Sequence, residues 1–454
     1  MKKWASLLVV AGLFLVSGYA GLGLLPPKTD ITDYAIIQIM GIDKAEDGDI
    51  IVTLTSRHGV QSSETSVNTQ VIETMTGKGE TVVQAIEQID IVSNRIQQLG
   101  YLDFVLIGEE AARESIVKCL DYVMRNPQSN YQESVFVVRG KTARELIDSA
   151  LSENRLLSDT LKNFFVTGSD YSTTTPLSLI DLITQLDTPG TTAEIPALRT
   201  ISADGFQMKG GEPPDCGVVC DGHAIISNLK LTGFIEQPLE RALNLLRHTG
   251  NHSVLSIYDE DGGFVSLNLN RSTRKITPVI ENGKIKTLKL EFLISSYFAE
   301  QTSNVDLLND ETIHRIEKEA SELVAGELGA AINQMVTFGE LPCFLAERVR
   351  LSNPVAYFDM ENSLADAIKG MTYDLRVRVV LKHQFDIKQP NGGEMFGANR
   401  LIGTGGRTEI PEQSLVYQDP LLGEEHLQEH KDDSGGGSED GSGGEGGSDK
   451  GGGS

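Results

Sequence analysis

Cysteine is scarce in this chain. Four cysteines among 454 residues are too few to staple a protein of this size, so its fold must rest on apolar cores. Cys119 recurs with Ala112, Ile116, Leu120 and Val123 at helical spacing and reads as a buried free thiol. Cys216 and Cys220 lie close together in a Gly- and Pro-rich stretch, where a disulfide or a redox pair is conceivable, although the spacing is not CxxC. Zinc would need further ligands there, and only His223 is near.

Basic residues are also short. Thirty-nine Lys and Arg stand against 64 Asp and Glu, a formal charge of −25, which argues against nucleic acid or an anionic lipid surface as a ligand of the folded part. Tryptophan is limited to Trp4. Catalytic signatures are missing: there is no GxSxG elbow, no Gly-rich phosphate loop with Lys and no HExxH. His248 and His252 are four apart, but Gly250 and Asn251 between them point to a turn. No residue is assigned a catalytic, cofactor-binding or metal-binding role, and no cofactor is expected.

A charge-free run long enough to cross a bilayer occurs once, at Trp4–Leu25, after Lys2 and Lys3. The positive-inside rule puts the body, from Lys28 on, outside the cytoplasmic membrane. Gly18 and Ala20 would suit signal cleavage. The run continues to Leu25 before Pro26 and Pro27, which favours an uncleaved anchor.

The remaining chain carries clear local signals. Val105, Leu106 and Ile107 form an apolar run ended by Gly108, and a helix follows with Glu109 and Glu110 in its first turn, where carboxylates complement the helix dipole. It runs into Asn126 and Pro127, and Val135–Val138 form a second strand. Ile36–Leu54 reads as two strands around the turn residues Glu46, Asp47, Gly48 and Asp49. Asp43 beside this turn reads as a solvated residue, since no bidentate Glu closes an EF-hand loop. Helices are expected over Thr81–Gln97, from Thr142 with Glu145 as a capping box, and over Pro176–Leu186 and Pro238–Arg247. A strand is expected over Glu194–Ile201, and a hairpin over Gly222–Phe234. Phe264–Leu269, Lys275–Ile280 and Lys284–Phe298 read as strands, the last two joined at Asn282-Gly283. Glu311–Met335 is a long amphipathic helix with Ile313, Ile316, Ala320, Leu323, Leu328 and Ile332 on one stripe, and Tyr373–Phe385 a last alternating strand.

Several of these words resemble the Ger(x)C family, the C-type subunits of bacterial spore germinant receptors. The matching stretches are GIDK at Gly41–Lys44, IGEEAARESI at Ile107–Ile116, LDYVMRNP at Leu120–Pro127 and VFVVRGK at Val135–Lys141. In the second half Gly222, Ala224, Lys230, Leu231, Gly233, Leu246 and Arg247 match, while His223 stands where an apolar residue is common. Gly339–Ala367 departs from the family pattern, lacking its DxFG word and tryptophans. The family's lipid-bearing Cys is replaced by Tyr19, which cannot be acylated in that way, so no lipidation is expected.

The fold expected is α+β and multidomain, with mixed sheets, packed helices and an N-terminal hydrophobic segment. Residues 1–27 are the anchor, 28–202 the first domain, 203–221 a linker, 222–388 the second domain, and 389–454 a disordered Gly, Ser and acidic tail. The resemblance implies a non-enzymatic subunit on the outer face of the spore inner membrane, acting in nutrient-triggered germination beside A-type and B-type membrane subunits. The alternatives are a secreted cell-wall hydrolase using paired carboxylates, or a stand-alone receptor with an enclosed ligand pocket.

Overall fold

The computed structural model describes residues 33–382 apart from 62–67, 94, 153–156, 172–176, 189, 203–215, 237–238, 248–252, 259–261, 304–305, 308, 338–340, 361–362 and 369, together with 4 and 10–12. Tyr19 and nearly all of the expected anchor, the His248/His252 pair and the tail lie outside the described residues.

Strands β1 (Tyr34–Lys44) and β2 (Ile50–Gln61) pair antiparallel around the acidic turn. β3 (Asn68–Gly79) joins β2, and Thr81 caps helix α1 (Val82–Val92). β4 (Ile96–Gln98) and β5 (Phe104–Gly108) lie parallel to β1. The helix expected after β5 is two helices, α2 (Glu109–Glu114) and α3 (Ile116–Arg125). Ser115 between them is extended, at φ −173°, and its hydroxyl accepts from the Lys118 N–H. The Ile116 N–H donates instead to the Leu229 carbonyl, 2.9 Å away. Apolar spacing continues through the break, so periodicity alone does not register it.

β6 (Ser134–Val138) is parallel to β5, completing the expected strand, helix and strand unit. Both strands are buried on both faces, which explains their continuous apolar runs. Helix α4 (Ala143–Ser152) opens with its capping box: Thr142 Oγ1 accepts from the Glu145 N–H at 3.1 Å, and Glu145 Oε2 from the Thr142 N–H at 2.9 Å. Helices α5 (Leu157–Tyr171) and α6 (Leu179–Leu186) lead to β7 (Thr191–Ser202). β8 (Cys216–Ser227), which takes in the end of the expected linker, and β9 (Lys230–Ile235) extend the sheet antiparallel. Cys216 and Cys220 share β8, and four residues at about 3.3 Å each put them roughly 13 Å apart, beyond disulfide reach. Cys220 forms no disulfide among the described residues.

The chain continues through α7 (Leu239–Arg247), β10 (Ser253–Tyr258), β11 (Phe264–Glu281), β12 (Lys284–Gln301) and α8 (Asp310–Thr337). β13 (Leu341–Pro342), α9 (Cys343–Ser352), α10 (Pro354–Met360), α11 (Leu364–Ala367) and β14 (Thr372–Leu381) complete it. The two strands expected before Asn282 are one, and β14 lies parallel to β12. Among the described residues, ten strands form a sheet ordered β3-β2-β1-β5-β6-β7-β8-β9, with β4 on β1 and β13 on β7; four form a second, β10-β11-β12-β14. The α+β class, with mixed sheets and packed helices, is the one expected. One face of the large sheet carries α1, α3 and α6 over Ile37, Ile42, Val105 and Ile107, and the other carries α4 and α5 over Phe104, Leu106 and Phe136. A third core joins the small sheet to the α8 stripe and to α9–α11 through Val349, Tyr357 and Met360.

Ionisable groups are enclosed where the large sheet meets this third core. Glu194 of β7, 2% exposed, accepts from Arg247 of α7, with Nε 3.1 Å from Oε2. Arg241 of α7 similarly holds Glu327 of α8 at 2.9 Å. His223 of β8 is fully buried, with Nδ1 3.8 Å from the equally enclosed Glu240. Burial, aided by the Arg247 charge, pushes the His223 imidazole well below its ordinary range. Burial raises the Glu194 carboxyl although Arg247 pulls it back.

The unfolded chain therefore takes up a proton at His223 near pH 6.5 while the folded one does not, and stability present above that pH is lost as pH falls below it. The slope attributable to this one group approaches about 1.4 kcal/mol per pH unit. Glu194 works in the opposite sense, releasing stability as pH rises from the carboxylate range. Urea unfolding of the wild type and His223→Leu between pH 7 and 5.5 checks this. The wild type should lose stability on acidification more steeply than the variant.

Candidate functional site

The words shared with the family converge on the carboxyl edge of β1, β5 and β6. Ile42 is in register with Ile107, and Ile107 with Val137. Asp43 therefore leaves β1 beside Gly108 and below the start of α4. It is 2% exposed, contrary to the solvated residue expected. Its Oδ1 accepts from the Ala143 N–H at 2.7 Å and its Oδ2 from the Arg144 N–H at 2.9 Å. With Thr142 Oγ1 on the Glu145 N–H, the amides that open α4 have acceptors, as a buried helix start requires. Burial raises the Asp43 carboxyl above its ordinary range, while the two N–H donors and Arg144 act against that rise.

Two glycines make room for this arrangement. A Cβ on Gly108 would stand 2.1 Å from Asp43 Oδ1, and one on Gly41 would stand 3.0 Å from Ile147 Cδ1 and 3.2 Å from Ala143 Cβ. Glu109, next in the IGEE word, reaches the same place from the other side. Its Oε2 accepts from the Gly140 N–H at 2.8 Å, and its Oε1 from Arg113 at 2.5 Å. Burial pushes this carboxyl up, but Gly140, Arg113 and Arg139 outweigh it and hold it below its ordinary range.

An open cleft of about 70 Å³ adjoins Asp43 and includes Lys44, Glu80, Glu114, Lys118 and Cys119. Glu114 is clamped by Lys118 at 2.7 Å and Lys44 at 2.8 Å, which together draw it down to about 2. Glu114 is thus tied between two lysines, and Asp43 is committed to backbone donors. Burial pushes the Cys119 thiol up to about 12, which makes it a poor nucleophile. The cleft is also much smaller than the few hundred Å³ usual for a small-molecule site.

Asp47 is paired with Lys78, which is also 3.5 Å from Asp49, so the acids of the β1–β2 turn are held by a cation on β3. His223 lies in the junction described above, three residues along β8 from Cys220. Arg247, matched to the family only as part of a word, proves to be the partner of buried Glu194. Arg139 and Arg199 both reach Asp221, at 3.3 and 2.7 Å, and tie β6 and β7 to β8. The sequence signal for the first pair is Glu194 itself, a charge set among inward apolar residues of β7.

Residues 27–200 match the family model described as the spore germination protein N-terminal domain, and 221–383 the model described as spore germination B3/GerAC like, C-terminal. The chain is 20% identical over 361 residues to YfkR of Bacillus subtilis (strain 168), a protein named for spore germination, covering 78% of this chain and 90% of that protein. It is 22% identical over 280 residues to spore germination protein KC of the same organism, covering 57% and 66%. The crystal structure of the GerBC protein is similar at a TM-score of 0.47 and 17% identity, covering 76% of this chain and 97% of that one. With both domain models matched in order, this chain belongs to the Ger(x)C family of spore germination proteins.

Proposed function

We propose that the protein is a non-enzymatic, extracytoplasmic subunit of a spore germinant receptor complex, acting in nutrient-triggered germination beside integral-membrane A-type and B-type subunits. Membership of a spore germination family supplies the process. The observation that carries the non-enzymatic part is the use made of the recurrent acids. Asp43 and Glu109 are bound by backbone N–H groups around the start of α4, so the words that look most like catalytic motifs build the fold. Trp4–Leu25 anchors the body to the outer face of the spore inner membrane, in place of the lipid that a cysteine at position 19 would carry.

Detergent extraction of spore membranes, followed by pull-down through a tag and mass analysis, tests the complex. A-type and B-type subunits should co-purify with a chain whose segment 1–25 is intact; a lone, processed protein would overturn the reading. The anchor has its own check. Tyr19→Cys should newly permit lipid attachment, whereas Tyr19→Ala should remain in the membrane fraction, and release of the Ala variant would contradict a retained helix.

A further inference from the structure

Among the described residues between 33 and 230, eight large apolar side chains are exposed, and six of them, Ile91, Val92, Ile96, Tyr101, Tyr131 and Ile180, belong to one rim. The topology puts them at the amino edge of the parallel strands, opposite the Asp43 edge. Ile91 and Val92 end α1 just before β4, which Ile96 opens. Tyr101 and Tyr131 each stand three residues before a parallel strand, β5 and β6. Ile180 lies in the first turn of α6, and its N–H donates to the Tyr131 carbonyl at 3.0 Å. Hydrogen bonds join the segments: Gln97 donates to Ser93 at 2.9 Å, Gln128 donates to Gln98 at 3.1 Å, and the Leu99 N–H donates to Gln128 at 2.9 Å.

Two of the rim loops are free of charge in a chain of net charge −25, and the cations at their margins are paired, Arg95 with Glu73 at 3.5 Å and Arg125 with Asp121 at 2.9 Å. Neither Ile96–Leu102 nor Asn126–Gln132 contains an Asp, Glu, Lys or Arg. Their residues are Ile, Leu, Tyr, Gln, Asn, Ser, Gly and Pro. Tyr is suited to the boundary between headgroups and acyl chains, with its ring in the apolar part and its hydroxyl among polar groups.

The position of the rim in the chain indicates what covers it. Tyr34, the first residue of β1, is the register partner of Ile96. Only residues 26–33 separate it from Leu25, so this edge can stand no more than about 30 Å from the end of the apolar segment.

We propose that this rim rests on the membrane that holds Trp4–Leu25, with its Ile and Tyr side chains entering the headgroup layer of the phospholipid bilayer. The inference rests on the anchor reading above. Because the cations at the rim's margins, Arg95 and Arg125, are each held by a carboxylate, the contact is apolar, requires no anionic lipid and is insensitive to salt. It orients the body with the Asp43 edge and the β1–β2 turn away from the bilayer.

The test uses the full chain in vesicles of zwitterionic phospholipid. Trp4→Phe removes the native indole, and Ile96→Trp, Tyr101→Trp or, in the β1–β2 turn at the Asp43 edge, Glu46→Trp then supplies a single reporter at an exposed position. Flotation reports the anchor, and quenching by lipids brominated high on the acyl chain reports the rim. The chain should float, and the indoles at 96 and 101 should be quenched several-fold more than the one at 46, equally at low and high salt. Flotation with no difference among the three positions overturns the rim contact, leaving the anchor standing and the rim to a protein partner. Quenching that disappears at high salt also overturns an apolar contact. A chain that does not float overturns the anchor and the inference together.

Discussion

The side chain of Asp43 ties the first strand of the large sheet to the helix that covers one of its faces. It leaves the end of β1 and closes the start of α4, whose first amides lie a hundred residues later in the chain. A side-chain cap contributes about 1 kcal/mol in ordinary settings, and Asp43 caps two backbone donors at once. Its larger consequence is positional. Fixing α4 over Gly41 places Leu146 and Ile147 against Leu106 and Phe136, which defines the core on that face of the large sheet. Gly108 and Gly41 are then required by the space the carboxylate and the helix occupy, and Glu109 secures Gly140 in the loop leading to the same helix.

A second set of enclosed charges governs the junction between the large sheet and the small one. Glu194 with Arg247 and Glu327 with Arg241 bind α7 on two sides, to β7 and to α8. Burying such pairs costs desolvation that their attraction only partly offsets, so they are poor sources of net stability. Removing one partner is nonetheless expensive, because the other is left charged in an apolar surrounding. The pairs therefore fix how α7 sits, and His223 beside Glu240 makes that seating sensitive to acid.

Much of the scaffold was legible in the sequence because the signals were local and uncontested. The turn at Glu46–Asp49, the apolar runs of β5 and β6, the Thr142/Glu145 capping box and the Asn282-Gly283 hairpin each depend on a few adjacent residues. The break at Ser115 was hidden because Ala112, Ile116 and Cys119 keep helical spacing across it, while the Leu229 carbonyl that takes the Ile116 N–H comes from a distant hairpin. Asp43 looked like a surface residue of the acidic turn; its acceptors' partners are a hundred positions away. Helices α9–α11 have no regular apolar stripe, and their buried side chains, among them Tyr357 and Met360, face the third core from several directions. The close cysteines looked like a pair until strand geometry spread Cys216 and Cys220 along β8. The shared words were recognisable as words, but their meeting at one edge of the sheet required the parallel register.

That meeting is tested most directly by a double-mutant cycle on Asp43→Ala and Gly108→Ala, followed by urea unfolding. The Gly108 change acts by driving a methyl into the Asp43 carboxylate, so its cost should fall once that carboxylate is gone. The account predicts that the double variant is more stable than the sum of the single losses implies, by at least about 0.5 kcal/mol, the size at which contacting residues depart from additivity. Strict additivity would show that Gly108 and Asp43 act separately, and would contradict a fold built around their junction.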